Sequence, residues 1–199
     1  MKIYLETERL LLRAFTEDDV DNLFELDSDP EVLRFINGGV ASPRDLIEGV
    51  ILPRFLSCYR RYEGFGYWAA IEKASGEFIG WFELCPEDGR GAHDIALGYR
   101  LRKKSWGKGY GAEGATALIA KAFTELAAQR VFACTYSQNH ASRRVMEKSG
   151  MKLARRYRMT PAELVSATTH APTDVIWPGD DVEYALDRTQ WELATGARP

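Results

Sequence analysis

Hydrophobic residues follow two different periods along the chain, and each period predicts a different kind of element. In the first third, Leu10 to Leu12, flanked by two arginines, predicts a strand. Thr16, with an acid three residues later, predicts the N-cap of a short helix. Ser42 followed by proline predicts a second helix start. Pro53 is expected to kink or end that second helix, because proline cannot donate a backbone hydrogen bond.

The middle of the chain changes from the strand period to the helix period. Two runs rich in aromatic and β-branched residues, Tyr67 to Glu72 and Phe78 to Leu84, predict a hairpin. A further strand is predicted from Ile95 to Leu101. The apolar residues beyond it recur at helical spacing and form the clearest amphipathic helix of the chain: Ala115, Leu118, Ile119, Ala122, Phe123 and Leu126.

After this helix the pattern predicts a strand from Val131 to Tyr136 and another short helix. Asn139 immediately precedes that helix, which is expected to end near Gly150, since glycine readily adopts the left-handed conformation found after a helix.

The C-terminal part of the chain has little periodicity. The segment from Thr160 to Asp181 contains several prolines, which predicts a long loop with room for a short helix over Pro161 to Ala167. A last strand is predicted from Asp181 to Leu186, and the chain from Leu193 onward is expected to fray. Together these elements predict an α+β or mixed α/β fold built on one central sheet.

Composition adds mainly exclusions to this picture. The 199 residues are 45% hydrophobic and 28% charged, which is ordinary for a globular protein, and they suit a single domain spanning 1–199. The net charge of -3 gives no electrostatic case for nucleic acid or for an anionic membrane. No apolar run approaches the ~20 residues of a membrane span, and the N-terminus lacks a signal-peptide core. Three scattered cysteines support neither a zinc site nor a disulfide framework, so a cytoplasmic protein without a metal is expected.

The segment Trp106-Gly107-Lys108-Gly109-Tyr110-Gly111 carries the strongest chemical signal. It lies between a predicted strand and the amphipathic helix, and its glycines let the backbone approach a ligand closely. The N–H groups of the first helical turn point into the same place. A phosphate-bearing ligand is therefore predicted.

Two common phosphate ligands fail the test of context. Gly109 to Gly114 satisfies the dinucleotide pattern G-x-G-x-x-G, but the next strand ends at Cys134-Thr135-Tyr136-Ser137 without the acid that would hold a ribose. The Walker pattern is also missing, since no Gly-Lys-Ser/Thr follows a four-residue gap. NAD and ATP are therefore both disfavoured.

The same loop resembles the acyl-CoA-binding pattern of the GNAT superfamily of N-acetyltransferases, Gln/Arg-x-x-Gly-x-Gly/Ala, with Trp106 in place of the first polar residue. The resemblance is closest to the Rim-type branch, the ribosomal-protein N-terminal acetyltransferases, and it covers nearly the whole chain. The segments that carry it are Leu5 to Arg13, Gly80-Trp81, Leu97 to Leu101, Glu113, Asn139 to Met151 and Glu183 to Leu186. It implies a mostly antiparallel twisted sheet with a splayed parallel strand pair, flanked by helices.

The resemblance also implies how acetyl-CoA would be held. The backbone of the loop would bind the pyrophosphate, Leu101 and Lys103 would contact the pantetheine arm through their backbone, and the side chain of Asn139 would add a hydrogen bond. The full set of expected cofactor-binding residues is Leu101, Lys103, Gly107, Lys108, Gly109, Tyr110, Gly111, Ala112 and Asn139.

The catalytic groups are less well defined. In most GNAT enzymes a tyrosine at the position of Met146 acts as the general acid. Ser142 or a water is therefore the remaining candidate for protonating the thiolate of coenzyme A as it leaves. Many Rim-type relatives carry an acid where this chain has Ala96, which makes Glu83 on the preceding strand the next candidate base. A solvent-facing role for Glu83 stays open at this point, and His93 and Asp94 are weaker alternatives.

The resemblance implies direct transfer of an acetyl group from acetyl-CoA to a primary amine, either a protein N-terminal α-amine or a small molecule. The alternative is a GNAT-fold module that binds acyl-CoA without turnover. The region from Asp27 to Gly64 and the loop from Thr160 to Asp181 are expected to select the acceptor. A homodimer is a reasonable expectation for a protein of this kind.

Overall fold

The computed structural model describes residues 2–87, 89–91, 93–158 and 179–197. Within these residues, eight strands form one sheet in the order β1-β2-β3-β4-β5-β6-β8-β7. The strands are β1 (Ile3–Glu6), β2 (Leu10–Ala14), β3 (Gly66–Glu72), β4 (Phe78–Pro86), β5 (Asp94–Leu101), β6 (Arg130–Tyr136), β7 (Lys152–Tyr157) and β8 (Asp181–Asp187). All neighbouring strands are antiparallel except β5 and β6.

Helices cover both faces of this sheet. They are α1 (Val20–Leu26), α2 (Pro30–Asn37), α3 (Arg44–Leu46), α4 (Leu52–Arg61), α5 (Tyr110–Glu125), α6 (His140–Lys148) and α7 (Arg188–Thr195). Short 3₁₀ turns precede α1 and the glycine loop, at Glu17–Asp19 and Lys103–Ser105.

Side-chain alternation on β4 divides the core into two clusters. Phe82 and Leu84 belong to the cluster beneath α5, whereas Trp81 and Cys85 belong to the cluster beneath α1 and α4. Helix α5 lies very close to the sheet at Gly114, where any Cβ would overlap the Phe82 ring. The helix that follows the glycine loop is therefore fixed tightly on β4.

The parallel pair β5–β6 is short. It runs from Asp94 opposite Arg130 to Ala96 opposite Phe132, and the part of β5 from Leu97 to Leu101 has no partner in β6. The two strands therefore diverge, leaving a gap in the sheet that opens toward the glycine loop. The mostly antiparallel sheet with one parallel pair and flanking helices is confirmed.

The structure corrects several predicted boundaries. The strand β1 precedes the predicted first strand, and α2 and β7 lie in segments where no element was predicted. The chain does not fray from Leu193, because α7 continues to Thr195. The side chain of Arg188 anchors this helix to the backbone oxygens of Phe123 and Ala128.

Of the two expectations for Pro53, that it kinks or ends its helix, the second is wrong, because the helix continues beyond it. A π-helical segment, Ile47–Ile51, immediately precedes it, and α4 then continues to Arg61. The wider π turn gives the proline ring room and uses a different hydrogen-bond spacing, so the missing N–H interrupts the helix less. The predicted helix over Pro161 to Ala167 lies outside the described residues.

Candidate active site

The glycine loop has the backbone expected of an anion site. Gly107 and Gly109 have φ of +74° and +89°, the left-handed region that favours glycine. Gly109 is the N-cap of α5, and the N–H of Glu113 is the first to bond within the helix, to the Gly109 oxygen at 3.0 Å. The N–H groups of the three preceding residues, Tyr110, Gly111 and Ala112, therefore have no helical acceptor. A Cβ at Gly107 would meet no atom within 4 Å, so the loop is open to a ligand.

The turn between β1 and β2 fixes this loop through polar contacts of Thr7 and Arg9 with Glu113 on α5, which we call the polar clamp. The Glu113 carboxylate accepts from the Arg9 backbone N–H at 2.8 Å and from the Thr7 hydroxyl at 2.5 Å. The Arg9 guanidinium pairs with the same carboxylate at 2.6 Å and donates to the Lys108 oxygen at 2.9 Å. Partial burial alone would raise the pKa of Glu113, but these donors hold it below its usual range. The segments that resemble the GNAT family include Thr7, Arg9 and Glu113, but the contacts between them were not predicted.

The residues before the loop direct backbone groups into the gap. The Arg102 N–H donates to Ile79 on β4 at 2.8 Å, so strand alternation turns the polar groups of Leu101 away from β4 and toward β6. The indole of Trp106 donates to the Leu101 oxygen at 2.8 Å, although the residue as a whole is 43% exposed. The substitution of Trp106 for a polar residue thus gives the loop an internal anchor. Lys103 and Lys108 are both exposed at the surface.

Asn139 and Ser142 begin the helix on the far side of the gap. Asn139 caps α6, accepting the Ser142 N–H at 3.2 Å and donating to the Thr135 hydroxyl at 3.1 Å. The Tyr99 hydroxyl, on β5, lies 2.9 Å from the Ser142 backbone oxygen and 3.0 Å from its Oγ. Burial raises the pKa of Tyr99, so this phenol stays protonated and links β5 to the first turn of α6. No motif or spacing in the sequence connects Tyr99 with Ser142, which lies 43 positions further along the chain.

Met146 and Ala96 carry no side-chain group that could transfer a proton. Met146 is 1% exposed and belongs to the core beneath α5. Ala96 pairs with Cys85 on one side and with Phe132 on the other.

Glu83 lies on the opposite face of the sheet from Ser142. It is paired with Gly98, and a Cβ at Gly98 would come within 2.6 Å of Glu83 Oε2. The missing side chain of Gly98 therefore leaves room for the carboxylate at the diverging part of β5. The Tyr67 hydroxyl donates to Glu83 Oε1 at 2.8 Å.

The surroundings of Glu83 favour its protonated form. Desolvation raises the pKa of Glu83, outweighing the opposing effects of the Tyr67 hydrogen bond and the Arg54 charge. A carboxylate with a raised pKa beside a cleft is a candidate for proton transfer. His93 and Asp94 lie at the other end of β5 from Gly98. By strand rise, His93 is about 16 Å and Asp94 about 13 Å from Gly98.

The structure thus brings the predicted residues together in two groups that meet at the gap. The glycine loop, Leu101, Asn139 and Ser142 lie on the α5–α6 side, and Glu83 lies on the α1–α4 side. A phosphate-bearing chain held by the loop would enter the gap from one face, and a second molecule would approach Glu83 from the other. The fit supports an extended phosphorylated co-substrate such as a coenzyme A thioester.

Residues 9–152 match the family described as the acetyltransferase (GNAT) domain. The chain belongs to this GNAT family. A relative from Aspergillus fumigatus, FsC-acetyl coenzyme A-N(2)-transacetylase, is 31% identical over 194 residues, covering 94% of this chain and 77% of the relative. The GNAT protein is therefore an acetyltransferase that uses acetyl-CoA and an amine acceptor.

Solved structures agree with this assignment. A GNAT-family acetyltransferase from Bacillus anthracis superposes with a TM-score of 0.73 at 25% identity, covering 95% of this chain and 99% of that one. RimL, an acetyltransferase of ribosomal L7/L12 solved with coenzyme A, has a TM-score of 0.72 at 16% identity, covering 94% and 98%. RimL thus shares the fold of the GNAT protein.

Among the described residues, no group of three or more His, Cys, Asp or Glu side chains could hold a metal ion. None of the described helices is both long and apolar enough to cross a membrane.

Proposed function

We propose that this chain, acting as one domain, transfers an acetyl group directly to a primary amine, with Glu83 accepting the proton that the amine loses. The observation that carries this role is the placement of the Glu83 carboxylate opposite Gly98, at the point where β5 leaves β6. The ionised form of Glu83 would accept this proton, and its raised pKa makes it a stronger base than an ordinary glutamate. A protein α-amine has a pKa of about 7.7–8.0, so only a weak base is needed.

The glycine loop is the proposed binding site for the diphosphate of acetyl-CoA, which supplies an activated acetyl thioester when bound. The N–H groups from Gly107 to Ala112 would donate to phosphate oxygens, and Lys108 would add positive charge nearby. Leu101 and Lys103 would hold the pantetheine arm through their backbone, with Asn139 contacting it from α6. The Trp106 indole already occupies the Leu101 oxygen, which leaves the Leu101 N–H as the donor facing the gap.

Ser142 is the proposed donor to the departing sulfur. A coenzyme thiol of pKa about 8.5 leaves as a thiolate with little assistance, so one hydroxyl is enough. Tyr99 would act as a positioning residue, since it fixes both the first turn of α6 and the Ser142 hydroxyl.

Both classes of amine acceptor remain within the proposal. RimL is named for a protein α-amine, whereas the fungal relative is named for the N(2) position of FsC. The higher identity of the fungal relative supports including small-molecule amines in any screen. The three cysteines of the chain are free thiols, which supports the proposed cytoplasmic location.

The test is an acceptor screen with acetyl-CoA and mass detection of acetylated products. Glu83→Gln should keep coenzyme A affinity while losing acetylation of every acceptor that the wild type modifies. Glu125→Gln, at the exposed C-terminal end of α5, where its partner is Lys121, is the matched control and should behave as wild type. Tight coenzyme A binding without acetylation of any amine would contradict the proposed direct transfer. Full activity of Glu83→Gln would contradict the assigned base.

A further inference from the structure

A second charged cluster lies on the described surface, and the proposed mechanism does not use it. At its centre is Glu183 on β8, which is 2% exposed. Three arginines surround its carboxylate: Arg90 at 2.8 Å, Arg130 at 3.1 Å and Arg155 at 2.9 Å. We call these four residues the arginine cluster.

The arginine cluster holds more positive charge than its buried acid requires. One guanidinium is enough to neutralise one carboxylate, and here there are three. Two further acids approach them, Glu87 at 3.0 Å from Arg90 and Asp187 at 4.0 Å from Arg130. Both acids are about half exposed, so solvent screens much of their contribution.

Strand register places the arginine cluster level with Glu83. Glu83 pairs with Gly98, and Glu183 pairs with both Cys134 and Arg155. Continuing the β5–β6 register by two residues brings Gly98 level with Cys134 across the gap. Since paired residues project from the same face, these side chains form one row across the sheet. Glu83 lies on one side of the gap, and the arginine cluster lies on the other.

Arg90 extends the positive charge toward the gap. It belongs to the loop between β4 and β5, and its guanidinium lies 4.0 Å from the centre of the Phe132 ring, whose residue pairs with Ala96. Stacking on this ring holds the guanidinium flat against the sheet. With strands spaced about 4.8 Å apart, the backbones of Glu83 and Phe132 are separated by ~10 Å or more. If the amine of an acceptor approaches Glu83, the atoms that follow the amine in the acceptor would lie over the surface between Glu83 and Arg90.

We propose that the arginine cluster recognises a carboxylate on the acceptor, placed roughly 8–12 Å from the amine that is acetylated. This rests on the proposed function of Glu83. The substrate class is then an amine with a distant carboxylate, such as a short peptide or an ω-amino acid. An α-amino acid is too short to reach both ends of the row.

Triglycine and triglycinamide are suitable probes, because both present the same α-amine and differ in the terminal charge. Rates should be compared at pH 9, where both amines are largely neutral. The wild type should prefer triglycine in kcat/KM by about tenfold, the size of one charge-assisted hydrogen bond. Arg90→Gln should remove most of this preference, because Arg90 is the arginine of the cluster that extends toward the gap. Arg156→Gln is the matched control, since Arg156 pairs instead with Asp180 at 3.7 Å, and it should keep the preference.

Equilibrium binding gives a second readout that is independent of turnover. In calorimetry, N-acetyl-triglycine should bind the wild-type protein about tenfold more tightly than its amide, and Arg90→Gln should lose that difference. Equal binding of the two products, or a preference that survives in Arg90→Gln, overturns the inference. If other amines are acetylated and triglycine is no better than its amide, the inference fails and the role of Glu83 stands. If no amine is acetylated, the proposed function fails and calorimetry alone decides the inference.

Discussion

The guanidinium of Arg9 donates to the backbone oxygen of Lys108 at 2.9 Å, across 99 positions of sequence. This contact ties the start of β2 to the loop that is proposed to bind the diphosphate of acetyl-CoA. Because Arg9 also pairs with Glu113, it links both ends of the N-terminal turn of α5. The shape of the loop therefore depends on residues far away in the chain.

Removing this clamp should weaken coenzyme A binding. Arg9→Ala removes the donor to Lys108 and leaves Glu113 with fewer partners, so we expect about a 5- to 30-fold increase in the Kd for coenzyme A. Titration calorimetry measures it. Arg44→Ala removes an arginine whose partners are exposed and should leave the Kd unchanged. An unchanged Kd in Arg9→Ala would show that the loop keeps its shape without the clamp.

Glu83→Gln should affect activity and stability in opposite directions. The folded-state pKa of Glu83 is raised, so the folded protein binds this proton more tightly than the unfolded chain does. Its contribution to stability is therefore lost as pH rises above the ordinary pKa of a glutamate. Glutamine carries no such proton, so the variant should gain in Tm relative to the wild type at pH 8 and not at pH 4.

The same variant should lose about 10²- to 10⁴-fold in kcat if Glu83 is the general base. Differential scanning calorimetry at the two pH values and steady-state rates check both expectations. A lower Tm at pH 8 would indicate that the Tyr67 hydrogen bond outweighs the cost of the buried charge.

Gly98→Ala should impair catalysis while leaving coenzyme A binding intact. The added methyl group would lie 2.6 Å from Glu83 Oε2 and must displace the carboxylate. We expect about a tenfold or larger loss of kcat with little change in coenzyme A affinity, because the loop is untouched. Gly49→Ala is the control, since its Cβ would meet no atom within 4 Å. Equal activity of the two alanine variants would argue against a tightly placed Glu83.

The Tyr99–Ser142 contact predicts that substitutions of these two residues have non-additive effects on kcat. Tyr99→Phe and Ser142→Ala should each lower kcat, and the double variant should lose less than the product of the two, because each acts through the same hydroxyl pair. Loss factors that simply multiply would show that Tyr99 and Ser142 act separately.

Local patterns predicted the elements that carry most of the site. The strand before the loop, the glycine turn and the apolar stripe of α5 are all visible in adjacent residues, and so is the N-cap role of Asn139. The sequence resemblance correctly led to the parallel pair and its gap.

Contacts between distant segments could not be predicted in the same way. The Thr7–Glu113 and Tyr99–Ser142 hydrogen bonds join residues 106 and 43 positions apart, and no spacing rule connects them. The π-helical segment before Pro53 was missed for a related reason, since a proline in a helix predicts a break unless the backbone can widen locally.

Adjacent residues of β4 serve the two sides of the site. Phe82 sets how closely α5 approaches the sheet through Gly114, and Glu83, the next residue, faces the other way toward the proposed acceptor. One rigid strand therefore fixes the spacing between the donor loop and the base. Acceptor preference could diverge through the helices and loops on the Glu83 side while the donor side keeps its geometry, which makes this face the practical place to redesign specificity.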